Sequence, residues 1–268
     1  MLFAASTYLY RQRRLVRDSL AEIAAHGFTA VELFASRVHL DYTNDAVVAD
    51  LQQWLAASRL ELSSVHGPVT ETSLASADAK ERERALAETE RALFVGRRIP
   101  FRTFVVHLGR PRTEGVTGGT NRDAARRSVA ALAAAAEPLG VRIAIEVIPN
   151  DLSRSASLTQ LLDRDIEHEN VGVCLDIGHA RLEGDVADAI ELVSGHLVAV
   201  DIHDNRGRSD DHLVPFEGVI DWPSTLTTIR KVGYDGALTF EPALRGAPKD
   251  TLARARDARR RLEALLKD

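Results

Sequence analysis

Eight short apolar runs recur along the chain, at 2–6, 30–33, 62–66, 103–107, 142–146, 171–176, 197–203 and 237–241, each parted from the next by a longer amphipathic stretch. Runs this short and this uniformly apolar predict strands buried on both faces rather than helices. The stretches between them carry helical spacing, as at Ala85, Leu86, Thr89 and Leu93. Gly27, Gly140 and Gly233 stand just before the second, fifth and eighth runs, where a glycine past a helix end closes its last turn. The order is therefore strand then helix, repeated eight times and finishing in a helix at 250–266. Such alternation demands a parallel sheet with helices packed against it. Eight parallel strands close into a barrel in about 250 residues, so this α/β chain of 268 residues is expected to be one domain, 1–268. An open doubly wound sheet is the rival, but the first strand and its sequel, FAASTYLYRQ, hold no G-x-G-x-x-G.

The strand ends carry the chemistry. His66 stands in SSVHGP, His107 in FVVHLG, Glu146 in IAIEVIPN, Asp176 and His179 in VCLDIGHA, His203 in LVAVDIHDN and Glu241 in ALTFEP. Asp210 and His212 follow in the loop after His203. In a closed barrel these positions converge on one rim. A single such residue is ordinarily a polar cap, yet so many ionisable groups in one cavity are costly unless paired, protonated or bound to metal. Five of the nine histidines lie at or just after strand ends, whereas His26, His39, His168 and His196 have structural settings. Nitrogen and oxygen donors without cysteine favour Zn, Mn, Mg or Fe over a thiolate cluster. The one cysteine, Cys174, sits inside the apolar VGVCLD run and reads as a buried small hydrophobe.

Composition narrows the remaining choices. No stretch approaches the roughly 20 apolar residues of a membrane span, and the start, MLFAASTYLYRQRR, lacks the order of a secretory signal, so a cytoplasmic enzyme is expected. A net charge of -5 offers no global attraction to nucleic acid. The segment 110–120, RPRTEGVTGGT, reads equally as a lid or as a plain solvent loop. Trp222 is expected to open a helix with Asp221 as N-cap and Pro223 just inside it, and Trp54 to cover the barrel exterior. Glu32, in VELF, is placed to reach the cavity.

The ordered set VELF, SVHGP, VVHLG, AIEVIPN, CLDIGHA, HDNRGRSDDHLVPFEGVIDW and TFEP resembles the xylose isomerase-like TIM-barrel superfamily over essentially the whole chain. That superfamily holds sugar and sugar-phosphate isomerases and epimerases as well as abasic-site nucleases of the endonuclease IV type. The resemblance implies one (β/α)8 barrel, with Glu146, Asp176, His203 and Glu241 as a four-ligand metal site. It also implies a second site at His66, His107 and a bridging Glu146, and a third at His179, Asp210 and His212. One to three divalent ions (Mn, Zn, Mg or Co) are thereby expected. Homo-oligomers are common among such isomerases.

The leading expectation is a divalent-metal-dependent isomerase or epimerase of a small sugar or sugar phosphate. Glu146 and Glu241 would move the proton through an enediolate, and His179, Asn150, Arg206 or Arg208 would bind the substrate. The alternative is a multi-metal phosphodiesterase, which explains His66, His107, Asp210 and His212 more directly. Against it, FAASTYLYRQ lacks the nuclease histidine, and FASRVHLDYTN does not resemble the nuclease loop that enters DNA. Arg37, Arg110, Arg112, Arg206 and Arg208 supply few of the contacts an extended duplex needs. A third reading is a barrel that binds a ligand without chemistry, to which the intact Glu146 and Glu241 run counter.

Overall fold

A computed structural model describes residues 1–69, 73–109 and 121–267; the 110–120 segment, with Arg110 and Arg112, lies outside the described residues. The eight strands are β1 (Leu2–Ser6), β2 (Ala30–Phe34), β3 (Glu61–His66), β4 (Thr103–Val106), β5 (Arg142–Glu146), β6 (Val171–Asp176), β7 (Leu197–Ile202) and β8 (Ala237–Phe240). All pair in parallel, in the order β1 to β8, and β8 returns to β1 through Phe3 opposite Leu238 and Ala5 opposite Phe240. The barrel is closed as expected, which rules out the rival open doubly wound sheet.

Helices α1 (Arg17–Ala25), α2 (Asp45–Ser58), α3 (Ala79–Leu93), α4 (Arg122–Ala136) and α5 (Ser155–Arg164) clothe the first half. Helices α6 (Ile177–Glu183), α7 (Val186–Val193), α8 (Trp222–Lys231) and α9 (Pro248–Leu265) clothe the second. Side chains fix several starts: Asn44, Asp78, Asn121, Asp185 and Asp221 each accept a hydrogen bond from the backbone of the first turn. Asp221 thus caps α8 as expected, with Pro223 in its first turn. Helix α9 begins earlier than the expected 250 because Pro248 suits its first position. Trp54 is partly buried against the core from α2. No helix among the described residues is long and apolar enough to cross a membrane.

Strand period decides what faces inward. Side chains alternate between faces, and the bulky residues Phe104, Val106, Ile143, Ile145, Val173 and Leu175 join the main apolar cluster beneath the helices. Their neighbours Val105, Ala144, Cys174 and Ala199 form a separate small cluster within the barrel. The same alternation carries each inward position two residues on to a site residue: Ser64 to His66, Val105 to His107, Ala144 to Glu146, Cys174 to Asp176, Asp201 to His203 and Thr239 to Glu241. Small residues on the floor leave room for polar ones above. His107, His203 and Glu241 fall just past their strands rather than inside them, because the ladder ends where the chain turns into the rim loops; Glu241 N still donates to Ile202 O at 3.1 Å.

Candidate active site

Glu146, at the end of β5, is the hub of the cavity. His66 Nε2 lies 2.9 Å and His107 Nε2 2.6 Å from its Oε2, and His179 Nδ1 is 3.3 Å from its Oε1. Burial opposes ionisation of Glu146, but the charge of His107 and the hydrogen bonds from His107, His179 and His66 outweigh it, holding the carboxylate well below its ordinary range. For His66, burial favours the neutral ring and Glu146 overrides it, raising the pKa well above the usual value.

A second group forms around Asp210, whose Oδ2 is 3.2 Å from both His179 Nε2 and His212 Nε2. His203 Nε2 lies 3.0 Å from Asp176 Oδ1 and 3.5 Å from Asp210 Oδ1. The first contact is off the direction of a hydrogen bond and leaves Nε2 without a partner. Three donor sets result, each offering one atom per residue within 4.8 Å of the others: His66, His107 and Glu146; Glu146, Asp176 and His179; and His179, His203, Asp210 and His212. Glu241 joins none of these sets, though it is buried beside them with Oε2 3.7 Å from His212 Nδ1. Burial, together with the charges of Asp201, Glu146 and Glu32, raises its pKa well above the carboxylate range despite nearby His66.

The donors fit a divalent cation. His66, His179 and His212 each place Nδ1 against a backbone carbonyl, of Gly67, Val147 and Glu241 respectively, at 2.8–2.9 Å. An Nδ1–H bound to a carbonyl fixes the ring with Nε2 turned inward, so that an ion displacing any Nε2 proton would meet the lone pair, the arrangement of metal-ligating histidine. His107 Nδ1, Asp176 Oδ2, His203 Nε2 and Glu241 Oε1 are buried without hydrogen-bond partners among the described residues, which is costly in the absence of a compensating charge. Cys174 is not among the donors; its Sγ donates to Asp201 Oδ2 at 3.1 Å on the barrel floor.

Local packing explains the residues between the ligands. Gly178 opens α6 so close to His203 that a Cβ there would stand 1.9 Å from its Cε1. Asp204, fully buried, accepts from Asn205 N, Ile220 N, Phe216 N and Trp222 Nε1 at 2.9–3.2 Å. It thereby ties down the 205–221 loop that delivers Asp210 and His212. Gly218 is required there too, since its Cβ would meet Asp204 Oδ1 at 2.1 Å. An aromatic wall completes the mouth: Phe34 lies 5.2 Å from both His66 and Tyr8, and Tyr8 stacks on His212 at 4.9 Å.

The expected ligands all reach the cavity, whereas the expected substrate-binding residues divide. His179 lies within it. Asn150 Oδ1 accepts from Leu152 N and Ser153 N, holding the turn after β5. Arg206 and Arg208 are exposed on the rim loop, Arg206 turned toward Asp211 at 3.9 Å. Arg37 pairs with Glu88, away from the donors. Glu32 is buried in β2 and accepts from Ser64 Oγ at 2.9 Å. Tyr8, Phe34 and Asp204 escaped sequence reasoning. Asp204 beside His203 in HDN had a local signal, while Tyr8 is recognisable only once β1 is set beside the loop after β7.

The family model described as "Xylose isomerase-like TIM barrel" matches residues 20–265. An uncharacterized protein of Methanocaldococcus jannaschii is 26% identical over 249 residues, covering 90% of this chain and 83% of its own. D-psicose 3-epimerase of Agrobacterium fabrum is 27% identical over 231 residues, covering 83% of this chain and 78% of its own. The crystal structure of a D-tagatose 3-epimerase-like protein superposes with a TM-score of 0.84 at 24% identity, covering 100% of this chain and 97% of that one, which is a likeness of fold.

Proposed function

Because the chain belongs to the xylose isomerase-like TIM-barrel family, we propose that it is a divalent-metal-dependent isomerase or epimerase of a small ketose or aldose. The whole of 1–268 serves as one catalytic barrel in this reading. The observation that carries it is the placing of Glu146 and Glu241. Both are buried at the ends of β5 and β8, three strands apart in a ring of eight and therefore nearly across the mouth from one another. Relatives that include D-psicose 3-epimerase support the same class of reaction.

Asp176, His203, Glu146 and Glu241 would hold the ion, with His66, His107, His179, Asp210 and His212 as further donors. When bound, it supplies positive charge that polarises the carbonyl and stabilises developing oxyanion charge. The protein residues do the rest. One carboxylate takes the proton from the carbon beside the carbonyl, and the other returns a proton to the planar enediolate from the opposite face. Opposed environments suit the two roles: histidines favour the ionised form of Glu146, whereas burial favours the protonated form of Glu241. His179 faces the same cavity and orients substrate hydroxyls. The Tyr8 and Phe34 rings close one wall against water.

The test is solvent deuterium exchange, followed by NMR, on D-fructose, D-psicose and D-tagatose with metal-loaded protein in D2O. Deuterium entering at the carbon beside the carbonyl, with epimer formation, is expected. No exchange in any member of a ketose and aldose panel would sink the reading. A second reading, metal-dependent phosphodiester hydrolysis, is favoured by one observation, the tight His66, His107 and Glu146 set. Cleavage of abasic DNA without ketose exchange would install it.

A further inference from the structure

A column of stacked groups climbs one wall of the mouth. His203 lies at its base, His212 stacks on it at 4.0 Å and 24°, and Tyr8 stacks on His212 at 4.9 Å and 30°. The Arg11 guanidinium also stands over the Tyr8 ring, its Cζ 3.9 Å from the ring centroid. Exposure grows along the column, from 0% at His203 and 9% at His212 to the partly exposed Tyr8 and Arg11. The top is fixed by backbone: Ser6 Oγ accepts from Tyr8 N, Thr7 Oγ1 accepts from Phe34 N, and Arg11 N donates to Tyr8 O.

Arg11 differs from most arginines near this rim in having no carboxylate among the described residues to neutralise it. Arg37 and Arg91 pair with Glu88, Arg206 turns to Asp211, and Arg245 donates to Asp211 O. Arg11 makes no ion pair among the described residues. Stacking on a ring occupies the face of a guanidinium and leaves the N–H edge free for a planar or tetrahedral anion. A substrate whose reacting carbons sit near His203 and which extends along the column has its far end beside this edge. The carboxylates below would repel an anion placed among them, which confines an anionic group to the top.

We infer that Arg11, held by the Tyr8 ring, is a specificity-determining residue that binds an anionic group, phosphate or carboxylate, at the end of the substrate remote from the reacting carbon. This rests on the isomerase or epimerase reading above. Charge-assisted hydrogen bonds to a guanidinium are strong and geometrically selective, so the substrate is a sugar phosphate or sugar acid in preference to a neutral sugar.

The experiment compares D-fructose, D-fructose 6-phosphate and D-fructuronate, which differ only at carbon 6, by calorimetric binding and by turnover on metal-loaded protein. Wild type is expected to bind at least one of the two anions about tenfold or more tightly than D-fructose, and which anion wins identifies the group. Arg11→Ala should remove that preference, raising KM for the anion far more than it lowers kcat, and Arg11→Lys should restore part of it because charge without the fork suffices for partial binding. Equal binding of all three sugars by wild type, or an Arg11→Ala effect equal on neutral and anionic ketoses, overturns the inference. Anion preference through Arg11 with no turnover of any sugar keeps the inference and defeats the proposed reaction; turnover without anion preference does the reverse.

Discussion

Glu241 has an unpartnered carboxylate oxygen inside the barrel and a neighbour, His212, that contacts it only at 3.7 Å. Replacing it by glutamine preserves shape and removes the titrating group. Glu241→Gln is expected to retain its melting temperature within a few degrees and to lose at least about a thousandfold in kcat, as for removal of a proton-transfer group with charge stabilisation; full turnover by the variant would take Glu241 out of the mechanism. Away from the site, Glu88 illustrates a charge serving stability alone. Burial opposes its ionisation, but hydrogen bonds from Arg37, Tyr42 and Arg91 prevail and lower its pKa to about 2. A depressed folded-state pKa contributes stability that is complete above the unfolded value of 4.5 and is lost as pH falls toward about 2. Since Arg37 and Arg91 are more than half exposed, screening trims the effect. Glu88→Gln should cost about 1–2 kcal/mol at pH 7. The gap from wild type in urea unfolding should close between pH 4.5 and 2, and a gap constant with pH would refute this account.

The loop between β7 and α8 is the element on which the cavity most depends, and one buried carboxylate organises it. Four donors converge on Asp204, and His212 and Phe216 adopt left-handed backbone at φ 45° and 75°, a conformation unfavourable for non-glycine residues unless surrounding contacts enforce it. Asp204→Ala strands those donors and should cost about 3–5 kcal/mol, with protease cleavage appearing within 205–221 before the remainder of the chain is attacked. Uniform loss of protection across the barrel would show that Asp204 supports the fold rather than the loop. Helix α6 offers a parallel case. Gly178→Ala must displace the His203 ring, because no Cβ is accommodated 1.9 Å from an imidazole carbon. Metal affinity should fall by at least about tenfold with the barrel's circular dichroism unchanged; unaltered affinity would mean that His203 is no ligand.

At the scale of the whole molecule the number of ions separates the two enzymatic readings. A one-metal isomerase uses Glu146, Asp176, His203 and Glu241, so His66→Ala with His107→Ala should leave one ion per chain by mass spectrometry and a reduced but measurable ketose exchange, the loss reflecting the two histidines that keep Glu146 ionised. A hydrolase built on three ions would lose both metal and activity. The eight buried strands, their parallel order and the carboxylates and histidines at their ends were legible from residues alone, because strand length and apolar run are local properties that the chain repeats eight times, with a helix-closing glycine before three of the strands. The period of two then places each ligand over a small inward neighbour, as Glu146 stands over Ala144. Sequence did not reveal that Glu146 takes three histidines at once, that Glu241 stands outside the tight donor sets, or that Arg11, Tyr8, His212 and His203 form one stack. Those relations join residues as far apart as 8 and 212. The sequence alone determined which strand-end side chains reach the rim, since that follows from alternation along each strand; only barrel closure decided which of them meet, since distance across a ring is set by how the strands are joined and not by anything within one of them.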